Sequence, residues 1–366
     1  MHLIFSLWGS IQQYLVPHIE ESLGALAGKE VEFVRVAELV GVDAFIKEHG
    51  WQGNGRKPRY RKPIELAFIA KAVWNLPTAR AMIECLGASP NAGRLCGWER
   101  AIDMPSESTF SRAFAQFAEG RLPSRMHEAM AKAGFKGRIA GHSSIDSTEV
   151  EAREKGIRKP KKEKKRKPGE RQKPGPKKGY KRKERQPKRL ELQGKRSLEE
   201  NLPELPNRCD YGVKRNSNGH LHTWKGCKLH MAVADGGIPI SAVLTSASVH
   251  DSQVAIPLMQ INSERAISLY DLADSAYEAD SIKGHGCSLG HVPIIGPSKR
   301  NGKDVQPEPA QKERYKERTA AERAFSNLKD NYGGRFVRAR GAAKAMAHLM
   351  FGVLALTAAQ LMRLLE

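Results

Sequence analysis

The chain has 366 residues, 40% of them hydrophobic, and a formal net charge of +21. That length can bury a sizeable core and divide into two domains, and the strong basic excess points to a polyanionic partner. The five cysteines are odd in number and form no C-x-x-C pair, which argues against a disulfide scaffold and suits a reducing, cytoplasmic setting.

Taken in chain order, the N-terminal MHLIFSLWGSIQQYLVPHIEE lacks a basic n-region and is interrupted by Gln12, Gln13 and Glu20, so no signal peptide is expected. Residues 1–137 read as a helical N-terminal DNA-binding domain of helix-turn-helix type. PIELAFIAKAVWNL and ARAMIECLG carry helical periodicity on either side of Pro77. In MPSESTFSRAFAQFAEG, Ser106 or Ser108 is placed to cap a helix whose Phe110, Phe114 and Phe117 form a core stripe. Arg80 and Arg112 are weak candidates for phosphate contacts. From 138 to 366 the texture is α/β. GRIAGHSSIDS predicts a short strand ending at Asp146. A run from Lys155 to Arg196 then holds 21 Lys and Arg against 4 Asp and Glu, leaving 40 basic and 36 acidic residues elsewhere. Its prolines discourage helix, and a disordered basic insert is expected at about 153–200, attracting polyanions in a salt-dependent way.

Beyond the insert, alternating strands flank Asp235-Gly236-Gly237, a hairpin signal. Cys209, His220, His222 and Cys227 lie near these strands but match no zinc spacing. A helix is predicted from near Asp251, then a strand in RAISLYDLADS, a short helix in YEADSIKGHG and a last strand in HVPIIGPSKR. Two helices close the chain, and the apolar MAHLMFGVLALTAAQLMRLL, interrupted by His348, Gln360 and Arg363, reads as a buried core helix rather than a membrane span.

Asp146 and Asp274 each fall just past an apolar strand. If those two strands are neighbours, the aspartates meet at one end of the sheet, and Glu322 on a later helix can join them. Three gathered carboxylates repel one another unless a cation intervenes; Mg²⁺, an oxygen-seeking ion that keeps water positions open, is the apt one. The helix YKERTAAERAFSNLK places Tyr315, Arg318, Glu322 and Lys329 within an arc of roughly 60° beside its apolar face. The competing reading is ordinary amphipathicity with an Arg318–Glu322 i, i+4 pair.

Tyr315, Arg318, Glu322 and Lys329 reproduce the spacing Tyr-x2-Arg-x3-Glu-x6-Lys, and in this the chain resembles the insertion-sequence-4 superfamily of DDE transposases. SSIDSTEVEA, LADSAYEAD, WKGCKLH, SVHDS and MPSESTFSRAF resemble the family as well, over roughly residues 60 to 350 apart from the basic insert. The resemblance implies an RNase H-like fold, with a mixed sheet flanked by helices. It implies Asp146, Asp274 and Glu322 as catalytic metal ligands for Mg²⁺ (two ions, with Mn²⁺ as a substitute). Tyr315, Arg318 and Lys329 are implied to contact DNA phosphates. It further implies double-stranded DNA as partner, binding of terminal inverted repeats, a homodimer on DNA, and Mg²⁺-dependent cleavage and strand transfer. A nuclease without strand transfer and a degenerate DNA-binding protein are the rival functions. Two departures stand out: only 47 residues separate Asp274 from Glu322, too few for the large β-rich insertion common in the family, and 127 separate Asp146 from Asp274. Asp271 is the rival second ligand, Asp274 being preferred for its Asp-x-x-Tyr spacing to Tyr277. His250 and Asp251 are auxiliary candidates, with helix capping by Asp251 the competing reading.

Overall fold

In the computed structural model, residues 7, 9–46, 61–157, 188–215, 219–296 and 308–364 are described. The first part is helical, as its periodicity predicts. The longer helices are α1 (Gly28–Val40), α2 (Arg61–Val73), α3 (Ala79–Ala88), α4 (Glu107–Glu119) and α5 (Leu122–Phe135). Pro77 falls in the turn between α2 and α3, and Thr78 caps α3 by accepting from the Ala81 N–H at 3.0 Å. Ser106 occupies the N-cap of α4 but its hydroxyl bonds Ser108 and Thr109 rather than the backbone. Phe110 and Phe117 are fully buried, and Phe68 packs against both, at 6.2 and 6.3 Å between ring centroids.

A six-stranded mixed sheet follows: β1 (Ile139–Glu151), β2 (Asp210–Arg215), β3 (Leu221–Ala234), β4 (Ile238–Ser246), β5 (Ile267–Ala273) and β6 (Val292–Ile295). The order is β2-β3-β1-β5-β6, with β4 also on β3. β1, β5 and β6 run parallel, while β3 is antiparallel to β1, β2 and β4. The hairpin turns through Asp235–Gly237, where Gly236 and Gly237 both take φ of 75°, a left-handed conformation that glycine adopts without strain.

Helices α6 (Ser252–Ser263) and α7 (Asp280–Ser288) cover one face of the sheet. Pro309–Tyr315 (α8), Thr319–Asn331 (α9) and Ala342–Arg363 (α10) come last in the chain. Alternation along β1 separates two cores. Ile145 faces a cluster built from Val254, Ile256, Leu258 and Ile282, whereas Leu229, Met231 and Val233 of β3 join a larger cluster with α9, α10 and the N-terminal helices. α10 is the hub of the second cluster. By length and composition it could cross a membrane, but 89% of its most apolar window is buried, and Phe351 stacks on Phe68 at 5.7 Å. The architecture is thus a mixed sheet flanked by helices behind a helical N-terminal region, in agreement with the RNase H-like expectation.

Four local expectations are corrected. β1 does not end at Asp146; it continues to Glu151 because β3 pairs with it as far as Glu151↔Gly226. β2 was not anticipated, since its polar DYGVKR gains strand character only by pairing with β3. Of the expected disordered insert, residues 158–187 lie outside the described residues, but Arg189–Gln193 and Leu198–Asn201 are helical. They are tied down by Leu190, Leu198 and Leu202 packing on the α6 core, and by Gln193 donating to the Gln253 carbonyl at 2.8 Å. Finally, the helix through Tyr315 is broken by a 3₁₀ turn at Lys316–Arg318. There the Glu317 carbonyl accepts from Ser144 Oγ of β1 at 3.1 Å, a tertiary bond that draws the turn toward the sheet.

Candidate active site

The parallel ladder between β1 and β5 ends at the pair Ile145↔Ala273. Asp146 and Asp274 are the next residue on each strand, so the register itself sets the two carboxylates side by side where the strands part. Each uses one oxygen locally: Asp146 Oδ1 accepts from the Ser147 N–H at 2.7 Å, and Asp274 Oδ1 accepts from the Ala276 N–H at 2.9 Å, capping a short turn. The capping function that strand-end aspartates commonly serve is therefore present at Asp274.

Glu322 enters from the first turn of α9. Arg318 sits between the carboxylates: its Nη2 donates to Glu322 Oε1 at 2.6 Å, and its Nη1 lies 3.8 Å from Asp146 Oδ2. The i, i+4 pair expected of simple amphipathicity is thus made, and the same guanidinium also reaches β1. Burial, reinforced by Asp274 and Glu322, lifts the Asp146 carboxyl to about 6 against the Ser147 hydrogen bond and Arg318. Asp146 therefore senses both of the other acids.

Tyr315 belongs to the same group. Its hydroxyl lies against Gly296, where a Cβ would come within 2.5 Å of it, so glycine is what lets the phenol reach the loop beside Asp274. Burial raises the Tyr315 phenol, and Asp274, Glu322 and Asp146 add to the rise against Arg318. Arg318 lies 5.8 Å from its ring centroid. Lys329 is elsewhere. Seven residues beyond Glu322, about 10 Å along the helix, it lies among Glu149, Arg335 and Lys214; burial with the two cations pushes its ammonium below its ordinary value against the pull of Glu149. The shared 60° arc fails across the 3₁₀ turn, and along α9 the axial rise separates what the angle aligned.

Asp271 is turned away from this group. It is buried and accepts from His291 Nδ1 at 2.9 Å. Asp251 stands at the start of α6 without a capping bond; Lys228 Nζ instead donates to its Oδ1 at 2.9 Å. Burial opposes the Asp251 charge, but His230, Lys228 and Ser147 outweigh it and hold the carboxyl low. His250 is exposed and bonds Ser252 at 2.8 Å. Lys228 and the Tyr277 hydroxyl escaped the sequence reading. Tyr277 is fully buried, its hydroxyl has no hydrogen-bond partner among the described residues, and burial followed by Asp251, Asp146 and Asp274 raises its phenol well above the ordinary range. The signal for Lys228 was available: a cation two residues from His230 on an apolar strand points to one face of the sheet.

The donor set suits a hard divalent ion, being all carboxylate and mutually repelling. As disposed here, no three His, Cys, Asp or Glu side chains among the described residues enclose a metal, since Arg318 holds Glu322. Cys209 and Cys227 donate to backbone carbonyls, and no zinc cluster forms around them among the described residues. The family described as Transposase DDE domain matches residues 139–358, from the first residue of β1 into α10. No curated protein and no solved structure matches the chain.

Proposed function

Because the chain belongs to the Transposase DDE domain family over more than half its length, and is thereby a DDE-type polynucleotidyl transferase acting on DNA, we propose that it is a transposase of the insertion-sequence-4 superfamily that cleaves the ends of its element and joins them to target DNA. The observation that carries this reading is the β1–β5 register, which places Asp146 beside Asp274 within the electrostatic reach of Glu322. Enzymes of this class use divalent metal ions; Mg²⁺ is the ion proposed, with Asp146, Asp274 and Glu322 as the residues that hold it.

When bound, such ions activate the attacking oxygen and stabilise the leaving one. The chain's own groups do the rest. Arg318 must release Glu322 for that carboxylate to become a ligand, and a DNA phosphate is the anion that can draw the guanidinium away. Tyr315, wedged against Gly296, presents its hydroxyl beside the scissile phosphate. Lys329, farther along α9, grips a phosphate of the flanking duplex. Lys228 keeps Asp251 ionised and Asp251 holds Ser147, which fixes the strand segment that carries Asp146. Residues 1–137 are proposed to contribute recognition of the terminal repeats, and the protein to act as a dimer on DNA.

The test is a joining assay. A labelled, pre-cleaved duplex carrying the repeats that flank the gene is incubated with plasmid target and Mg²⁺. Covalently joined product, absent with Asp146→Asn, is expected. Hydrolysis of uncut ends without joined product would leave a nuclease instead.

A further inference from the structure

A crevice lies away from the carboxylates, between the N-terminal helices and the start of α10. It encloses about 530 Å³, within the range of a ligand-sized cavity. Six cations line it: Lys71 of α2, Arg80 of α3, Arg153 just beyond β1, Arg338 and Arg340 in the loop after α9, and Lys344 of α10. Among the described residues only Arg80 of the six has a carboxylate in ion-pair range: Glu107, the one acid on the wall, at 3.6 Å.

Lys71 is the unusual member. Only 7% exposed, its ammonium has three protons and, among the described residues, a single acceptor, His348 Nδ1 at 3.4 Å. His348 Nε2 lies 3.0 Å from the Gly333 carbonyl and donates to it, which leaves Nδ1 free to accept. A buried ammonium kept for packing alone would be costly and easily replaced by Met or Leu. Here it sits in a cavity where four of the five other cations, Arg153, Arg338, Arg340 and Lys344, also have no carboxylate in ion-pair range among the described residues.

We propose that this crevice is a second DNA-backbone site, in which a phosphodiester group sits on Lys71 with neighbouring phosphates on Arg153, Arg338 and Arg340. Guanidinium forks match phosphate oxygens, and the cations outnumber the acids nearby, Glu107 being paired with Arg80 and the Glu154 carboxylate being taken up by the Gly341 N–H. Position ties it to the carboxylates. Arg153 continues β1, which carries Asp146, and Tyr332 and Gly333, also on the wall, end the helix that carries Glu322. Glu322 and Tyr332 are ten residues apart, about 15 Å of helix, on the order of four to five base-pair steps. The crevice thus grips the duplex beside the reacting phosphate, and this inference rests on the DNA-transposing function proposed above.

The test uses the full chain in metal-free buffer, so that binding is read without cleavage. Affinity for a short duplex of arbitrary sequence is measured against salt for the parent, Lys71→Met and the double variant Arg338→Ala/Arg340→Ala. Each lost phosphate contact is expected to weaken binding about tenfold and to flatten the salt slope by about 1. The expected slope change is thus about 1 for Lys71→Met and about 2 for the double variant. Lys71→Met should also melt higher, by about 2 °C or more, because the buried charge is gone. Arg338 and Arg340 are exposed, so the double variant reports even if Lys71→Met misfolds. Parallel titration with inorganic phosphate separates a backbone site from one for the free ion. Unchanged duplex affinity and slope in both variants, with or without loss of inorganic phosphate binding, overturns this inference alone. Failure of the parent to bind duplex overturns it together with the transposase function.

Discussion

At the end of β1 and β5 the fold gathers three acids, and in the crevice beside α2 it gathers six cations. Both are clusters of like charge with at least one desolvated member, Asp146 in the first and Lys71 in the second, yet they are managed differently. Among the acids the chain supplies its own cation, Arg318, which touches Asp146 and Glu322. Among the cations only Arg80 is ion-paired, with Glu107; Lys71, Arg153, Arg338, Arg340 and Lys344 have no carboxylate in ion-pair range within the described residues. The difference is instructive: under the proposed function, Arg318 is the counter-charge that DNA and metal would have to displace, whereas the crevice would leave neutralisation to the bound backbone. The first arrangement suits chemistry that must wait for a substrate, the second suits grip.

The largest effect that could break this comparison is on chemistry. Asp146→Asn, Asp274→Asn and Glu322→Gln are each expected to lower cleavage and joining on the order of 10⁴-fold while leaving duplex affinity in metal-free buffer nearly unchanged. A parallel fall in affinity would mean that the two regions are not separate in function. Phe325→Ala serves as the structural control. Phe325 is 5% exposed on the core face of α9, and truncation should cost about 3–5 kcal/mol in chemical denaturation, degrading both regions alike.

The opposite signs of the two clusters should also appear in the pH dependence of stability. Asp146, raised to about 6 from 3.8, contributes stability that is complete below pH 3.8 and is lost as pH rises through about 6. Lys71, lowered by burial to about 8 from 10.5, contributes stability that is present above pH 10.5 and is lost as pH falls through about 8. In metal-free denaturation, Asp146→Asn should flatten the first window and Lys71→Met the second, each by roughly 2–3 kcal/mol. A single window removed by both variants would show the clusters to be coupled. The smallest effect belongs to Lys329→Ala, which should slow joining by roughly tenfold through one lost phosphate contact. An unchanged rate would reduce Lys329 to a neighbour of Glu149.

How much of this could be read from the residues depends on what sets each feature. The adjacency of Asp146 and Asp274 was legible because each follows an apolar run and the parallel β1–β5 ladder stops at the pair just before them, although β1 itself runs on to Glu151. The hairpin was legible in Asp235-Gly236-Gly237. Angular position on the Tyr315–Lys329 helix was read correctly only within α9. The 3₁₀ break depends on Ser144 bonding the Glu317 carbonyl, a contact between residues 173 positions apart that no local pattern encodes. The polarity of β2 hid a strand that exists through its partner. Lys71 carried a signal that was passed over. It falls three residues after Phe68 and seven after Ile64, on the buried stripe of α2, where a lone cation departs from the helical pattern.

The central claim, that Asp146, Asp274 and Glu322 form one divalent-metal site, is tested most directly by Mn²⁺ titration followed by electron paramagnetic resonance. It needs neither an element end nor turnover. The account predicts that the parent and Asp271→Asn bind Mn²⁺ alike, that Asp146→Asn, Asp274→Asn and Glu322→Gln each weaken binding at least about tenfold, and that Arg318→Ala strengthens it by freeing Glu322. Full Mn²⁺ binding by Asp274→Asn with loss in Asp271→Asn would contradict the account and move the site to the other side of the sheet.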